Sequence, residues 1–332
     1  MEAWKIEKLR FWFASKSPSW LYHAVLIPRL VYKAIRYPEK KKKYGLLNPD
    51  KTFYVIRLAP PATGFLANYN YVLGYMKYAF EKGWTPVIDM ENYATLYQEE
   101  QPYNGTRNVW EYFFEQPLDT KTGKRYSLKE VYQSQNVILG KADVQAMYND
   151  SMDENTLKWQ AEMSNLVPFN NQMQQHINEV YKKSFPVGGA VLGVPTRGSE
   201  QKKRVKGHPI PLNVDEIIPI IKEKCKNWGI KSIYVKAEEE ETIKFLKDNL
   251  SNVYYSECER LKNYSNQKDV NASIGSKKIS KADSLRDYLT DIKLLSLCDS
   301  ILGTKNNGLV TAVIWNDGKY DNVEVIDNGV WK

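Results

Sequence analysis

Cysteine and histidine are scarce in this chain of 332 residues, with three of each. Cys225, Cys258 and Cys298 lie far apart without a CxxC pair, and an odd number in a chain of this length does not read as a disulfide framework. Free thiols in a reducing, cytosol-facing compartment are expected. His23, His176 and His208 have no second His or Cys at metal-ligand spacing, so no metal site is expected. Long apolar runs are missing too: none approaches the roughly 20 residues that span a bilayer. The most apolar early stretch is broken by Lys16, Pro18 and Arg29 and is followed by no small-residue cleavage site, so a signal peptide is not expected either. Internal repeats are absent, and the one low-complexity tract is a run of lysines.

That run belongs to a strongly basic beginning. Residues 1–43 hold eleven Lys and Arg against three Glu, an excess of eight that equals the net charge of the whole chain. The remaining body is neutral, which argues against nucleic acid as a partner. Trp4, Phe11, Trp12, Phe13, Trp20 and Tyr22 are interleaved with these cations, and Lys40 to Lys43 close the segment. An amphipathic, aromatic, cationic helical segment over residues 1–45 suits the headgroup layer of an anionic membrane. The alternative is a helix packed on the protein's own surface beside a solvated lysine run.

From Thr52 onward, short β-branched runs alternate with helical patterns. Strands are expected at Thr52 to Leu58, Thr85 to Met90 and Asn136 to Leu139, with a helix at Asn68 to Lys82 and a long one over Asp153 to Lys183. The second half alternates more cleanly. Strands are expected at Gly189 to Pro195, Ser232 to Val235, Asn252 to Tyr255, Ser300 to Leu302 and Val323 to Ile326. Helices are expected at Asn213 to Trp228, Glu239 to Asn249, Ser284 to Cys298 and Gly308 to Trp315. Such alternation implies parallel βαβ units. The expected architecture is α/β: two Rossmann-like domains, residues 46–184 and 185–332, facing a cleft where strand C-termini meet.

The stretch Ser284 to Asp299, SLRDYLTDIKLLSLCD, resembles the donor-domain segment of the α-1,6-fucosyltransferase and O-fucosyltransferase superfamily, through Ser284, Leu285, Arg286, Asp291, Ile292, Leu295, Ser296 and Asp299. Ser232 to Lys247 is similar to that family's strand ending in an acidic pair, here Glu238 and Glu239. Gly193 to Glu200 is similar to its arginine-bearing strand and loop, followed by Gly207-His208-Pro209-Ile210, and a weaker likeness covers Ala59 to Tyr75. Pro195 and Gly198 stand where the family has a histidine and a second arginine, so Arg197 alone carries the charge. The resemblance implies a GT-B type glycosyltransferase that needs no metal and no cofactor, with a nucleotide sugar, GDP-fucose by analogy, as donor.

A sugar leaving a nucleoside diphosphate puts charge on the β-phosphate, and fixed cations or amides must stabilise it. Arg197, just past the end of an apolar strand, is the expected cation, and a surface salt bridge is its bland alternative. Arg286 either reaches the same anion or pairs within its helix. The turn Thr304-Lys305-Asn306-Asn307-Gly308 points amides into the site or simply caps a helix. Asp291, mid-helix among apolar residues, either faces the donor or pairs with Arg286 or Lys293. His208 either donates to phosphate or orients its loop, and Gly64 and Asn68 mark the loop of the first half. Glu200 and Glu238 are the candidate bases, although Glu238 to Glu241 also read as a helix N-terminus. Sugar transfer to a glycan or lipid-linked glycan acceptor in bacterial cell-surface polysaccharide synthesis, by a cytoplasmic protein peripheral to the inner face of the membrane, is the expected function. A catalytically degenerate nucleotide-sugar or glycan-binding protein of the same fold is the alternative.

Overall fold

The computed structural model of the chain describes residues 38–58, 64–93, 95–141, 147–196, 209–260 and 279–331. It divides into two compact units, Met1–Asn171 and Gln172–Lys332.

The first unit runs β1 (Lys40–Lys42), β2 (Leu47–Ile56), α1 (Phe65–Glu81), β3 (Thr85–Ile88), the short pair β4 (Leu118–Asp119) and β5 (Lys124–Arg125), α2 (Leu128–Val131), β6 (Ser134–Leu139) and α3 (Glu154–Asn165). Its main sheet has the order β1-β6-β2-β3. The last three of these strands are mutually parallel and β1 is antiparallel to β6. Phe53, Tyr54, Val55 and Ile56 of β2 are all buried, as an uninterrupted apolar run must be in a strand covered on both faces. Phe53 and Val55 pack with Val87, Val131 and Val137 on one face. Tyr54, on the other, stacks on Trp84 with ring centroids 5.5 Å apart. A Cβ at Gly140 would lie 2.8 Å from the Tyr54 ring, so only glycine fits there.

Two expectations fail in this unit. The lysine run is not the tail of an amphipathic helix: Lys40–Lys42 form the exposed edge strand β1, in register with Leu139 to Val137. Lysines on an edge discourage further strand pairing. The helix expected from Asp153 to Lys183 is two helices, α3 and α4 (Asn171–Ser184). Pro168 between them has no N–H for the ladder, and the bridge Phe114–Phe169 ties the connection to the aromatic core.

The second unit continues from α4 with β7 (Val191–Pro195), α5 (Val214–Asn227), β8 (Ser232–Lys236), α6 (Glu240–Asn249), β9 (Val253–Tyr254), α7 (Lys281–Leu295), β10 (Ser300–Thr304), α8 (Asn307–Asn316) and β11 (Asn322–Ile326). The sheet order is β11-β10-β7-β8-β9 and every pairing is parallel. Period-two alternation sends Leu192, Val194, Ile233 and Val235 to one face, where they pack with Ile217, Ile221, Ile243 and Leu246 of α5 and α6. The other face carries Gly193 and Tyr234. A Cβ at Gly193 would lie 3.1 Å from Cys298 Sγ and from Leu295 Cδ2, so the glycine lets the end of α7 approach the sheet.

Helix ends follow their sequence signals. The Asn213 amide donates to Glu216 Oε2 at 2.7 Å to start α5, and Gly229, at φ +67, follows its end. Ser280 Oγ accepts from the Asp283 amide at 3.0 Å to start α7.

Candidate active site

In the second unit the chain steps from β7 through β8 to β9 on one side, then returns to β10 and β11 on the other. The order reverses between β7 and β10. In parallel α/β sheets ligands bind outside the strand C-termini at such a switch point. β7 ends there in Pro195 and Thr196; β10 ends there in Thr304 and leads through Lys305 and Asn306 into α8. The backbone N–H and the hydroxyl of Thr196 both donate to the Lys236 carbonyl, at 2.8 and 2.9 Å, which fixes the exit of β7 against β8. Arg197, Glu200 and His208 lie outside the described residues. The chain re-enters at Pro209, bridged to Val330, and Ile210 donates its amide to the Gly329 carbonyl at 2.9 Å.

The turn after β10 is held by its own side chains. Asn306 Oδ1 accepts from the Leu309 amide at 3.0 Å, and its Nδ2 donates to the Thr304 carbonyl at 2.8 Å. Asn306 is therefore the N-cap of α8, and its side chain is committed to the turn. Thr304 Oγ1, buried, accepts from the Leu212 amide at 3.4 Å. Asn307 opens α8, where helix N–H groups face the strand ends.

Arg286 and Asp291, five residues apart on α7, face different surroundings. Arg286 pairs with Asp283 at 2.7 Å and with Asp287 at 3.1 Å. Asp291 is 2% exposed. It accepts a hydrogen bond from the Tyr234 hydroxyl at 2.9 Å and another from the Ser256 hydroxyl. Burial raises its carboxyl above the ordinary carboxylate range, against the opposing pull of Ser256, Arg260 and Tyr234. What holds Asp291 is thus a pair of hydroxyls from β8 and from the segment after β9.

Glu238, one of the two expected bases, is half-buried and salt-bridged to Lys236 Nζ at 2.7 Å. Lys236, at the end of β8, is 6% exposed and lies 4.9 Å from the centroid of the Tyr288 ring. Neither Lys236 nor Arg260 stands out in sequence: one closes a strand, the other follows Glu257-Cys258-Glu259 in a polar run. Arg260 is 8% exposed and donates to the carbonyls of Ala237 at 3.2 Å and Ser256 at 2.7 Å. It opens with His176 and Arg286 into a cavity of about 420 Å³. Burial, helped by the charge of Arg286, holds the His176 imidazole below its ordinary range. Burial also pushes the Cys258 thiol up to about 11, so it is no thiolate nucleophile at neutral pH.

The first unit has its own reversal, between β2 and β6. Arg57, just past β2, donates from Nε to the Gly140 carbonyl at 2.6 Å and from a terminal nitrogen to Tyr93 Oη at 3.0 Å. Its other terminal nitrogen donates to the Pro38 carbonyl at 2.8 Å. Gly64 is the N-cap of α1, its carbonyl accepting from Ala67 and Asn68, and a Cβ on it would meet nothing within 4 Å. Asn68 is buried in the first turn of that helix. Among the described residues no group of His, Cys, Asp and Glu is placed to hold a metal ion, and no helix is long and apolar enough to cross a membrane.

No protein-family model and no curated protein matches the sequence. Its fold, an α/β arrangement built on largely parallel sheets, is similar to that of a solved fucosyltransferase structure. The fucosyltransferase NodZ from Bradyrhizobium superposes with a TM-score of 0.50 at 13% identity, over 79% of this chain and 92% of that one. POFUT1 in its apo form superposes with a TM-score of 0.40 at 9% identity, over 83% of this chain and 98% of that one. At 13% identity the likeness to NodZ is one of fold.

Proposed function

We propose that the chain is a glycosyltransferase that moves a sugar, fucose by analogy, from a GDP-linked donor to a glycan or lipid-linked glycan acceptor. The observation that carries this reading is the switch point between β7 and β10, where Thr196 follows one strand and Thr304 to Asn307 end the other and open α8; Arg197 is the next residue in sequence after Thr196. Amides at the start of α8 suit a phosphate. Arg197 supplies the charge that stabilises the departing diphosphate, a role its planar fork fits. The fold shared with NodZ, a fucosyltransferase, supports the same class of chemistry.

Asn306 supports this site as the cap that shapes the turn, and Asn307 follows it as the first residue of α8. Glu200 and Glu238 remain the proposed carboxylates for deprotonating the acceptor hydroxyl. The basic aromatic segment holds the catalytic body at an anionic membrane surface, where lipid-linked or surface-polysaccharide acceptors are made; this part of the proposal rests on sequence alone.

The test is a panel of GDP, UDP and CMP and their sugars, read first as thermal stabilisation and then as release of the nucleotide from the best-bound sugar. GDP and GDP-fucose are expected to stabilise the protein most. Stabilisation by none of the panel rejects the donor site. Tight binding without nucleotide release to water or any glycan acceptor supports the catalytically degenerate sugar-binding alternative instead.

A further inference from the structure

Lys236 is a buried cation at the end of β8, on the side of α7, where its charge also favours the buried Asp291 carboxylate. Strand alternation puts its side chain on the same face as Tyr234, towards α7, while Ile233 and Val235 fill the opposite core. Taking an ammonium out of water is costly, and one ion pair recovers that cost only with good geometry and further hydrogen bonds. Its salt-bridge partner Glu238 is two residues away on the same segment, at 2.7 Å. A pair so close in sequence fastens no two elements together.

Its surroundings lead to the switch point. Pro195, the last residue of β7, is its register partner, and Thr196 is bonded to its carbonyl. Its ammonium lies 4.9 Å from the centroid of the Tyr288 ring. The hydroxyl of that ring reaches the start of α8, where a Cβ on Gly308 would lie 3.3 Å from it and 3.0 Å from Asn306 Oδ1. One aromatic ring thus separates the lysine from the turn that ends β10.

We infer that Lys236 is a donor-binding residue whose ammonium meets a phosphate of a nucleoside diphosphate seated at the β7–β10 switch point. In the unliganded chain Glu238 and the face of Tyr288 hold that charge in place. The inference rests on the nucleotide-sugar reading and adds a second cation to Arg197.

The experiment measures binding of GDP, GMP and guanosine to the full chain by calorimetry, for wild type, Lys236→Met and Glu238→Gln. Methionine keeps the length and packing of the side chain without its charge. A charge-assisted contact predicts that Lys236→Met loses roughly tenfold to a hundredfold in GDP affinity, less for GMP and nothing for guanosine, while Glu238→Gln keeps or gains GDP affinity. If the pair is structural, both variants lower the melting temperature together and neither changes the ratio of GDP to guanosine affinity, which overturns the inference but leaves the donor site standing. If wild type binds none of the three ligands, the donor reading fails and this inference with it. Should Lys236→Met fail to fold, Lys236→Gln provides the check: it keeps a hydrogen-bonding end without the charge, so the same loss of GDP over guanosine affinity is expected, and an unchanged ratio overturns the inference.

Discussion

Replacing Asp291 with alanine separates a structural carboxylate from a ligand-facing one. The side chain accepts from Tyr234 and Ser256, and its removal strands two buried hydroxyls. Each stranded donor costs about 1–3 kcal/mol, so the loss is about 2–6 kcal/mol. At about 2–4 °C per kcal/mol for a domain of this size, the melting temperature falls by ~5 °C or more. Asp291→Asn behaves differently, because both hydroxyls donate to the one oxygen Oδ1 and an amide oxygen in its place can accept both; the cost is about 1 kcal/mol or less. The pH dependence carries the sharper test. Burial raises the folded-state pKa of Asp291 above its unfolded value, so its contribution is fully present below the unfolded pKa and lost as pH rises through the folded one. Urea unfolding of wild type and Asp291→Asn, compared from neutral pH down through the carboxylate range, should therefore show wild type gaining on the variant as pH falls. A folded Asp291→Ala of undiminished stability that no longer binds GDP would refute this reasoning and return Asp291 to the donor.

Three further outcomes are expected. Asn306→Ala removes the cap of α8 and should cost about 0.5–2 kcal/mol in urea unfolding; no loss would mean the turn is held by something other than Asn306. Arg197→Ala should lower single-turnover sugar transfer by roughly a hundredfold or more, and Arg197→Lys should stay severely impaired because the fork is lost; near-normal rates in either remove Arg197 from the mechanism. Deleting residues 1–37 should abolish flotation with anionic vesicles and leave the body folded, whereas deleting 1–43 should also destabilise it, since β1 and the Pro38 carbonyl that accepts from Arg57 go with it; equal stability of the two truncations would show that β1 is dispensable.

The second unit was legible because its strands are covered on both faces, so each reads as a short apolar run between capped amphipathic helices. Asn213, Gly229 and Ser284 to Cys298 marked elements that lie within a few residues of where they were expected. The first unit was less so. Lys40–Lys42 contain no apolar residue, and what makes them a strand is the free edge of β6, a partner almost a hundred positions away that no local pattern reveals. Pro168 was visible in the sequence, yet the helical periodicity on both sides of it masked the break. Thr304 to Asn307 lie between a strand and a helix as the pattern of the sequence suggests, while the buried Lys236, Ser256 and Arg260 were not singled out. Their importance comes from burial, and a lone Lys, Ser or Arg in a polar stretch gives no sign of it.

Asp291 shows why reading chemistry from sequence finds the right neighbourhood more readily than the right role. A carboxylate amid apolar helix residues does need partners, and that inference was sound. The partners are Tyr234 of β8 and Ser256 after β9, joined by Arg260, whose guanidinium is bonded to the carbonyls of Ala237 and Ser256. This network ties α7 to the C-terminal ends of two strands just beneath the proposed ligand edge. Polar groups placed there rigidify the edge when every member is satisfied. The proposed binding residue Lys236 then has a fixed frame: Tyr234 and Lys236 leave the same face of one strand, the first bonded to Asp291 of α7 and the second lying over Tyr288 of the same helix. The motif residue that resembles a donor contact in sequence is, on this argument, the support on which the contact is built.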